Sequence, residues 1–375
     1  MTTVAALAAW MESFAPARLA EPWDNVGLLL GDPETQIDRI MTCLTVTPIT
    51  VAEAIDDRAG VILSHHPILF RPVKTIRADT PEGGMLWRLA QAGVAVLSPH
   101  TAFDNTVGGI NDGLARRFGL VGVGPLRQPK AIASYKVVVF TPEDDREWVM
   151  NAAFAAGAGR IGEYTGCSFS TRGLGTFVGG EGTHPTAGQA GRPETVEEYR
   201  LEFVCPGDRL AEVLTAVRGR HSYEEPAIDL VPLRPEPVGP GIGRLGRLDQ
   251  AAPLRDFAAR VAGALGAPGL QIVGDPDRPV QRVAVACGAG DDFLDDAAKL
   301  GADVLVTGEA RFHRALEAEA RGLALVLAGH HATERPGVED LAVRLAKDHP
   351  KLTVWASRRE RDPLAILVQD SEFIP

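Results

Sequence analysis

"VILSHHPILF", residues 61–70, runs three large apolar side chains into two adjacent histidines and a proline. A continuous apolar run bounded by turn chemistry suits a short strand covered on both faces, so Val61, Ile62 and Leu63 are read as one. Pro67 lacks a backbone donor and biases His66 toward extended backbone, which ends the strand between Ser64 and His66. Two imidazoles therefore stand at the carboxyl end of a buried strand. Taken alone, the stretch favours one hydrogen-bonded core histidine beside a solvated one. Two further stretches repeat the pattern. "VAVLSPHTAFDN" (94–105) is an apolar strand followed by His100 and Asp104, and "LALVLAGHHATE" (323–334) leads into His330, His331 and Glu334. Sites in open α/β sheets form on this rim, just past the carboxyl ends of the strands. Three coincidences at one structural address favour a metal site over core histidines.

Imidazole and carboxylate donors suit zinc, iron, manganese or nickel, and the sequence places no soft thiolate nearby. His65 and His66 are consecutive on an extended chain, so their side chains diverge and fit two neighbouring ions better than one. His330 and Glu334 are one helical turn apart and can share an ion. Two ions a few Å apart need a bridging carboxylate, which Glu334 or Asp104 can supply. The expected cofactor is thus a pair of divalent transition-metal ions per chain.

Working outward, helix and strand alternate through about the first 120 residues, from "VAALAAWMESF" to "VAVLSPH". The same grammar returns after about residue 245, from "LRDFAARVAGALG" through "ADVLVTGE" to the closing helix "VEDLAVRLAKDH". This order predicts an α/β core with a mostly parallel sheet and helices on both faces. Between the halves, a strand, helix, hairpin, strand, helix, strand order suggests a small ferredoxin-like α+β unit. Pro/Gly-rich "RPEPVGPGIG" (234–243) marks the return. The expected division is 1–124 and 241–375 for the core, split by an insertion over 125–240.

At 375 residues the chain is long enough for two domains. A net charge of −11 argues against general nucleic-acid binding and against anionic membranes. Cys43, Cys167, Cys205 and Cys287 are scattered without a CxxC pair, which excludes a thiolate zinc ribbon and favours a reducing compartment. The start "MTTVAALAAWMESF" lacks a basic region and carries Glu12, unlike a signal peptide, and no run approaches a membrane span. The expectation is a soluble, cytoplasmic protein.

Other motifs weigh less. "GIGRLG" (241–246) matches GxGxxG but follows a proline-rich link instead of a strand, which argues against a dinucleotide site. "ACGAGDDF" (286–293) does follow a strand, yet Asp291 and Asp292 would repel a phosphate, so a structural turn is favoured. His184 and His221 lie in the insertion without metal-like spacing and are read as structural.

At these residues the sequence resembles the NIF3-like family, known in many bacteria as GTP cyclohydrolase 1 type 2 homologs. The matching stretches are "EPWDNVGLLLGDP" (21–33), "SHHPILF" (64–70), "SPHTAFDN" (98–105) and "GHHATE" (329–334). "GAGRIGEYTGCSFSTRGLGTF" (157–177) and "HSYEEPAIDL" (221–230) look like the PII/CutA-like insertion of longer members. The resemblance implies dimetal ligands at His65, His66, Asp104, His330 and Glu334, and a toroidal homohexamer with its metals facing an internal cavity. Two positions depart from the pattern: Ser222 stands where proline is usual, and His331 where an aromatic residue is common.

A bound metal ion lowers the pKa of its water and so gives a nucleophilic hydroxide near neutral pH, which makes hydrolysis the expected chemistry. The family name implies attack on the imidazole ring of GTP with loss of formate. The leading expectation is a metal-dependent hydrolase of a nucleotide or another small anionic substrate. The alternative is a non-catalytic metal-dependent scaffold or regulator, with the insertion as its sensing module. His100, four residues before Asp104 at the same strand end, is the better candidate for proton transfer. His313, in "GEARFHRALE", is the second.

Overall fold

The computed structural model describes residues 2–128, 134–162, 164–233, 240–267 and 269–365. The chain forms two compact units, one of Met1–Pro129 with Pro237–Pro375 and the other of Lys130–Glu236.

The first unit holds two mixed sheets. One runs in the order Thr353–Ala356, Arg39–Cys43, Val61–Ser64, Ala95–Ser98, Gly27–Leu30. Its first three pairings are parallel, and Gly27–Leu30 closes the edge antiparallel. The other sheet runs Gln271–Val273, Ala324–Leu327, Val304–Thr307, Pro279–Ala286, Ile242–Pro253, Val121–Arg127. Only its three central strands are parallel. The mostly parallel sheet expected from the sequence is therefore corrected to two large mixed sheets, one parallel but for a single antiparallel edge strand and the other with a parallel centre and antiparallel flanks. The central strands were legible because both of their faces are buried. Val61 and Leu63 pack into a core shared by both sheets, while Ile62 packs on the opposite face with Val51, Leu86 and Leu89.

Helices Val4–Phe14, Ile110–Arg117, Leu254–Leu265 and His330–Asp348 contribute to that shared core. Pro48–Asp56 and Pro81–Ala92 cover the outer face of the first sheet. Their starts are set locally. Thr47 and Thr50 form a reciprocal capping box, Thr80 caps Gly83, and each helix carries a proline in its first turn. The C-terminal ends of the parallel strands of both sheets give rise to the site-bearing turns.

The second unit is a four-stranded antiparallel sheet ordered Ile228–Leu233, Ser134–Thr141, Pro193–Pro206, Ser168–Val178. Val137, Val139, Leu201 and Phe203 on one face pack with Val149 and Ala153 of Glu143–Ala155 and with Val213 and Val217 of Leu210–Arg218.

Candidate metal centre

His65 and His66 leave the Val61–Ser64 strand with their amides held by the carbonyls of Cys43 and Leu44 at 2.9 and 2.8 Å. The neighbouring strand, Ala95–Ser98, delivers His100 and Asp104 on a short helix. His330 and Glu334 come from the second sheet, at the start of the helix that follows Ala324–Leu327. The histidine-bearing rim belongs to two sheets, not one. It brings together the rings of His65, His66, His100 and His330, with neighbouring centroids 5.1 to 5.7 Å apart.

Glu334 lies at the centre of the cluster. Its Oε2 is 3.0 Å from His66 Nε2 and 3.1 Å from His330 Nε2. Its Oε1 turns toward His65 Nε2 at 3.8 Å, and the same His65 nitrogen faces Asp104 Oδ1 at 3.6 Å. Burial alone would raise the Glu334 carboxyl, but hydrogen bonding to the surrounding histidines holds it well below the carboxylate range. Asp104 is pushed up, first by burial and also by the charge on Glu334. His66 is lowered mainly by burial, whereas hydrogen bonding to Glu334 raises His330 to about 9.

The donor set fits transition metals. Both ring nitrogens of His65 are buried and neither has a hydrogen-bond partner among the described residues. Buried polar atoms are rarely left so, and these belong to a residue whose Nε2 faces two carboxylates. Ligand atoms of His65, His66 and His100, and of His66, His330 and Glu334, converge closely enough for each set to hold an ion. Nitrogen and oxygen donors of this kind take zinc, iron, manganese or nickel.

The histidines are fixed from behind in different ways. Glu309 Oε1 lies 2.9 Å from His330 Nδ1, and Thr45 Oγ1 lies 2.7 Å from His66 Nδ1. Asp24, whose side chain is fully buried, lies 2.7 Å from His100 Nδ1 and accepts from the Thr101 amide and hydroxyl. Burial would raise Asp24, yet the His100 and Thr101 contacts bring it down to about 2. His100 itself sits at φ +30°, a strained backbone for a non-glycine residue.

Sequence reasoning missed Asp24, Thr45, Glu309 and Cys287. The thiol of Cys287 donates to Asp104 Oδ1 at 3.2 Å, so a sulfur does adjoin the cluster, contrary to expectation. Buried Asn111 joins the two segments, accepting from the Cys287 amide at 2.9 Å and donating to the Asp104 carbonyl at 3.1 Å. Beside the cluster lies a cavity of about 490 Å³ whose walls include Trp23, Phe70, His100, Arg127, Cys287 and Phe293.

The remaining candidates fall elsewhere. His313 is exposed on Phe312–Ala320, with its ring 5.7 Å from that of Phe312, and is not brought to the cluster. "GIGRLG" lies largely in the Ile242–Pro253 strand and opens no helix, which removes the geometry a dinucleotide needs. In "ACGAGDDF" the Gly288 and Gly290 amides donate to Thr333 and Thr307, and Asp291 accepts from the Arg311 amide and guanidinium, so the turn is structural. In the second unit, His221 Nε2 is 2.8 Å from the Phe140 carbonyl, while the His184 amide donates to Glu224.

A sequence profile of Duf34/NIF3 (NGG1p interacting factor 3) matches residues 2–363. The chain belongs to the Duf34/NIF3 family. A Mycobacterium tuberculosis relative named "GTP cyclohydrolase 1 type 2 homolog" is 42% identical over 325 residues, covering 86% of this chain and 85% of its own. A Halalkalibacterium halodurans protein of the same name is 37% identical over 359 residues, covering 95% and 96%. Among solved structures, a Bacillus cereus protein related to NIF3 superposes with a TM-score of 0.69 at 34% identity, covering 98% of this chain and 99% of that one. A Staphylococcus aureus protein gives a TM-score of 0.76 at 26% identity with the same coverage. No described helix is long and apolar enough to cross a membrane.

Proposed function

We propose that this Duf34/NIF3 protein is a dinuclear metal hydrolase acting on a nucleotide or another small anionic substrate. The division of Glu334 carries the reading. One carboxylate oxygen meets His66 and His330, and the other turns to His65, which also faces Asp104. A carboxylate shared between two donor sets suits a pair of ions a few Å apart. His65, Asp104 and one Glu334 oxygen would hold one ion, and His66, His330 and the other oxygen would hold the second. Such ions supply Lewis acidity toward a substrate oxygen or water.

The chain's own residues do the rest. Asp24 holds His100 by Nδ1, which leaves Nε2 as the nitrogen available to move a proton at the cluster. His313, exposed on its helix, is the weaker candidate. Trp23 and Phe70 give the cavity an apolar wall, and Arg127 also lines it, with its guanidinium paired to Asp296. The name shared by the relatives makes GTP the first substrate to try.

Metal-loaded protein should hydrolyse a member of a nucleotide and phosphoester panel. His100→Ala should keep its ions and lower that turnover by roughly 10²-fold or more. An ion lost with His100 would make it a ligand, and unchanged turnover would place proton transfer elsewhere. A metal-loaded chain inert to the whole panel would favour the second reading, a metal-dependent scaffold or regulator.

The second unit has a hydrophobic core of its own, which supports that alternative with this unit as a sensing module. Its strand, helix, strand, strand, helix, strand order, with the last strand beside the first, supports a ferredoxin-like, PII/CutA-like insertion over about 125–240. The homohexamer and the cytoplasmic setting belong to the same proposal. Light scattering tests the first, since a monomer in solution would exclude it.

A further inference from the structure

The turn that carries Thr45 is held by a segment from the far end of the chain. Glu360, almost fully buried, accepts the Leu44 amide at 2.8 Å on Oε2 and the Thr45 amide at 2.7 Å on Oε1. Arg335, the residue after Glu334, donates to Glu360 Oε2 at 2.8 Å and to the Ser357 carbonyl at 2.7 Å. Ser357 is anchored in turn by its hydroxyl, which donates to buried Glu53 at 2.6 Å. Two further contacts fix the turn: the His66 amide donates to the Leu44 carbonyl at 2.8 Å, and the Thr50 hydroxyl to the Thr45 carbonyl at 3.2 Å. The whole arrangement places Thr45 Oγ1 2.7 Å from His66 Nδ1.

We propose that Thr45 and Glu360 are positioning residues that set the orientation and tautomer of His66, and with them the hold on the ion shared by His66 and His330. The inference rests on the metal reading above. His66 Nε2 is the nitrogen turned to Glu334, so it must present a lone pair to an ion, and Nδ1 must then carry the ring proton. That N–H needs an acceptor in this half-buried setting, and the Thr45 hydroxyl oxygen is the one in place. A hydroxyl accepts only where its backbone puts it. The backbone here is set by charge-assisted bonds to Glu360, which are stronger than neutral ones. Arg335 pairs with Glu360 one residue beyond Glu334, so the clamp reaches both the histidine and the shared carboxylate. The four histidines differ in this respect. His330 and His100 have carboxylates behind Nδ1, His66 has a hydroxyl, and His65 has no partner.

The test is titration of the metal-free full chain with cobalt(II), whose visible absorption reports ligand geometry. Thr45→Val keeps the shape of the side chain and removes the acceptor, whereas Thr45→Ser retains it. Groups that orient metal ligands typically change affinity 10–100-fold when removed. Thr45→Val should therefore weaken one of two cobalt sites by about that factor and alter its spectrum, and Thr45→Ser should restore both. Glu360→Gln, which turns one acceptor into a donor facing an amide, should shift the same site in the same direction. Cobalt affinity and spectrum equal to wild type in folded Thr45→Val would overturn the clamp alone. If Thr45→Val does not fold, Glu360→Gln decides by the same criterion. A wild-type chain that takes up no cobalt would overturn the metal reading and the clamp with it.

Discussion

At Gly288 the backbone has φ +61°, and a Cβ there would run into Glu334 Oε1 and crowd His330 Nε2 at 3.3 Å. Gly288→Ala combines backbone strain of about 1 kcal/mol with displacement of the shared carboxylate. We expect a folded protein with a slightly lower Tm and with metal content reduced by at least half, measured by elemental analysis. Full metal content would show that Glu334 has room to move. The glycine was legible only as part of a turn, because the clash that requires it comes from a residue far along the chain. The same holds for Asp24, Thr45 and Cys287. Each lies in a loop with no periodicity, and each acquires its role through a partner 21 to 183 residues away. His65, His66, Asp104, His330 and Glu334 were readable because an apolar run fixes the address of whatever follows it.

Glu53 ties helix Pro48–Asp56 to the segment after the Thr353–Ala356 strand. It accepts from the Ser357 hydroxyl at 2.6 Å and from the Arg358 and Arg359 amides at 2.9 and 3.0 Å. Burial would raise its carboxyl, but these donors hold it below the ordinary value of 4.5. A carboxyl depressed in the folded state adds stability above its unfolded pKa and loses it as pH falls through the folded one. Glu53→Gln should cost about 1–3 kcal/mol at pH 7, with the gap to wild type closing below about pH 4. Denaturant melts at pH 7 and pH 3.5 test this, and a gap of equal size at both would refute it. At this scale the central parallel strands were legible, but Gly27–Leu30, Ile242–Pro253 and Thr353–Ala356 were not. Ile242–Pro253 reads as polar and glycine-rich. Its Arg244 is nonetheless buried, bonded to the carbonyls of Gly241, Gly243 and Thr106 and paired with Asp112. That satisfaction is tertiary and leaves no local pattern.

For the whole molecule, the Duf34/NIF3 core brings His65, His66 and Asp104 from before the second unit in sequence and His330 and Glu334 from after it. Arg127 and Ile242 are register partners in adjacent strands, so a short linker can close the core. Replacing 130–236 with a few Gly/Ser residues should leave a folded protein with its metal intact, read by circular dichroism and elemental analysis. Loss of metal with the fold retained would show that the second unit supports the site. The central claim is that Glu334 joins two ions, with His65 and Asp104 on one side and His66 and His330 on the other. Elemental analysis of wild type and Glu334→Ala, both purified without added metal, tests it most directly. The account predicts about two transition-metal ions per wild-type chain and almost none in the variant. A single tightly held ion, unaffected by the substitution, would contradict it.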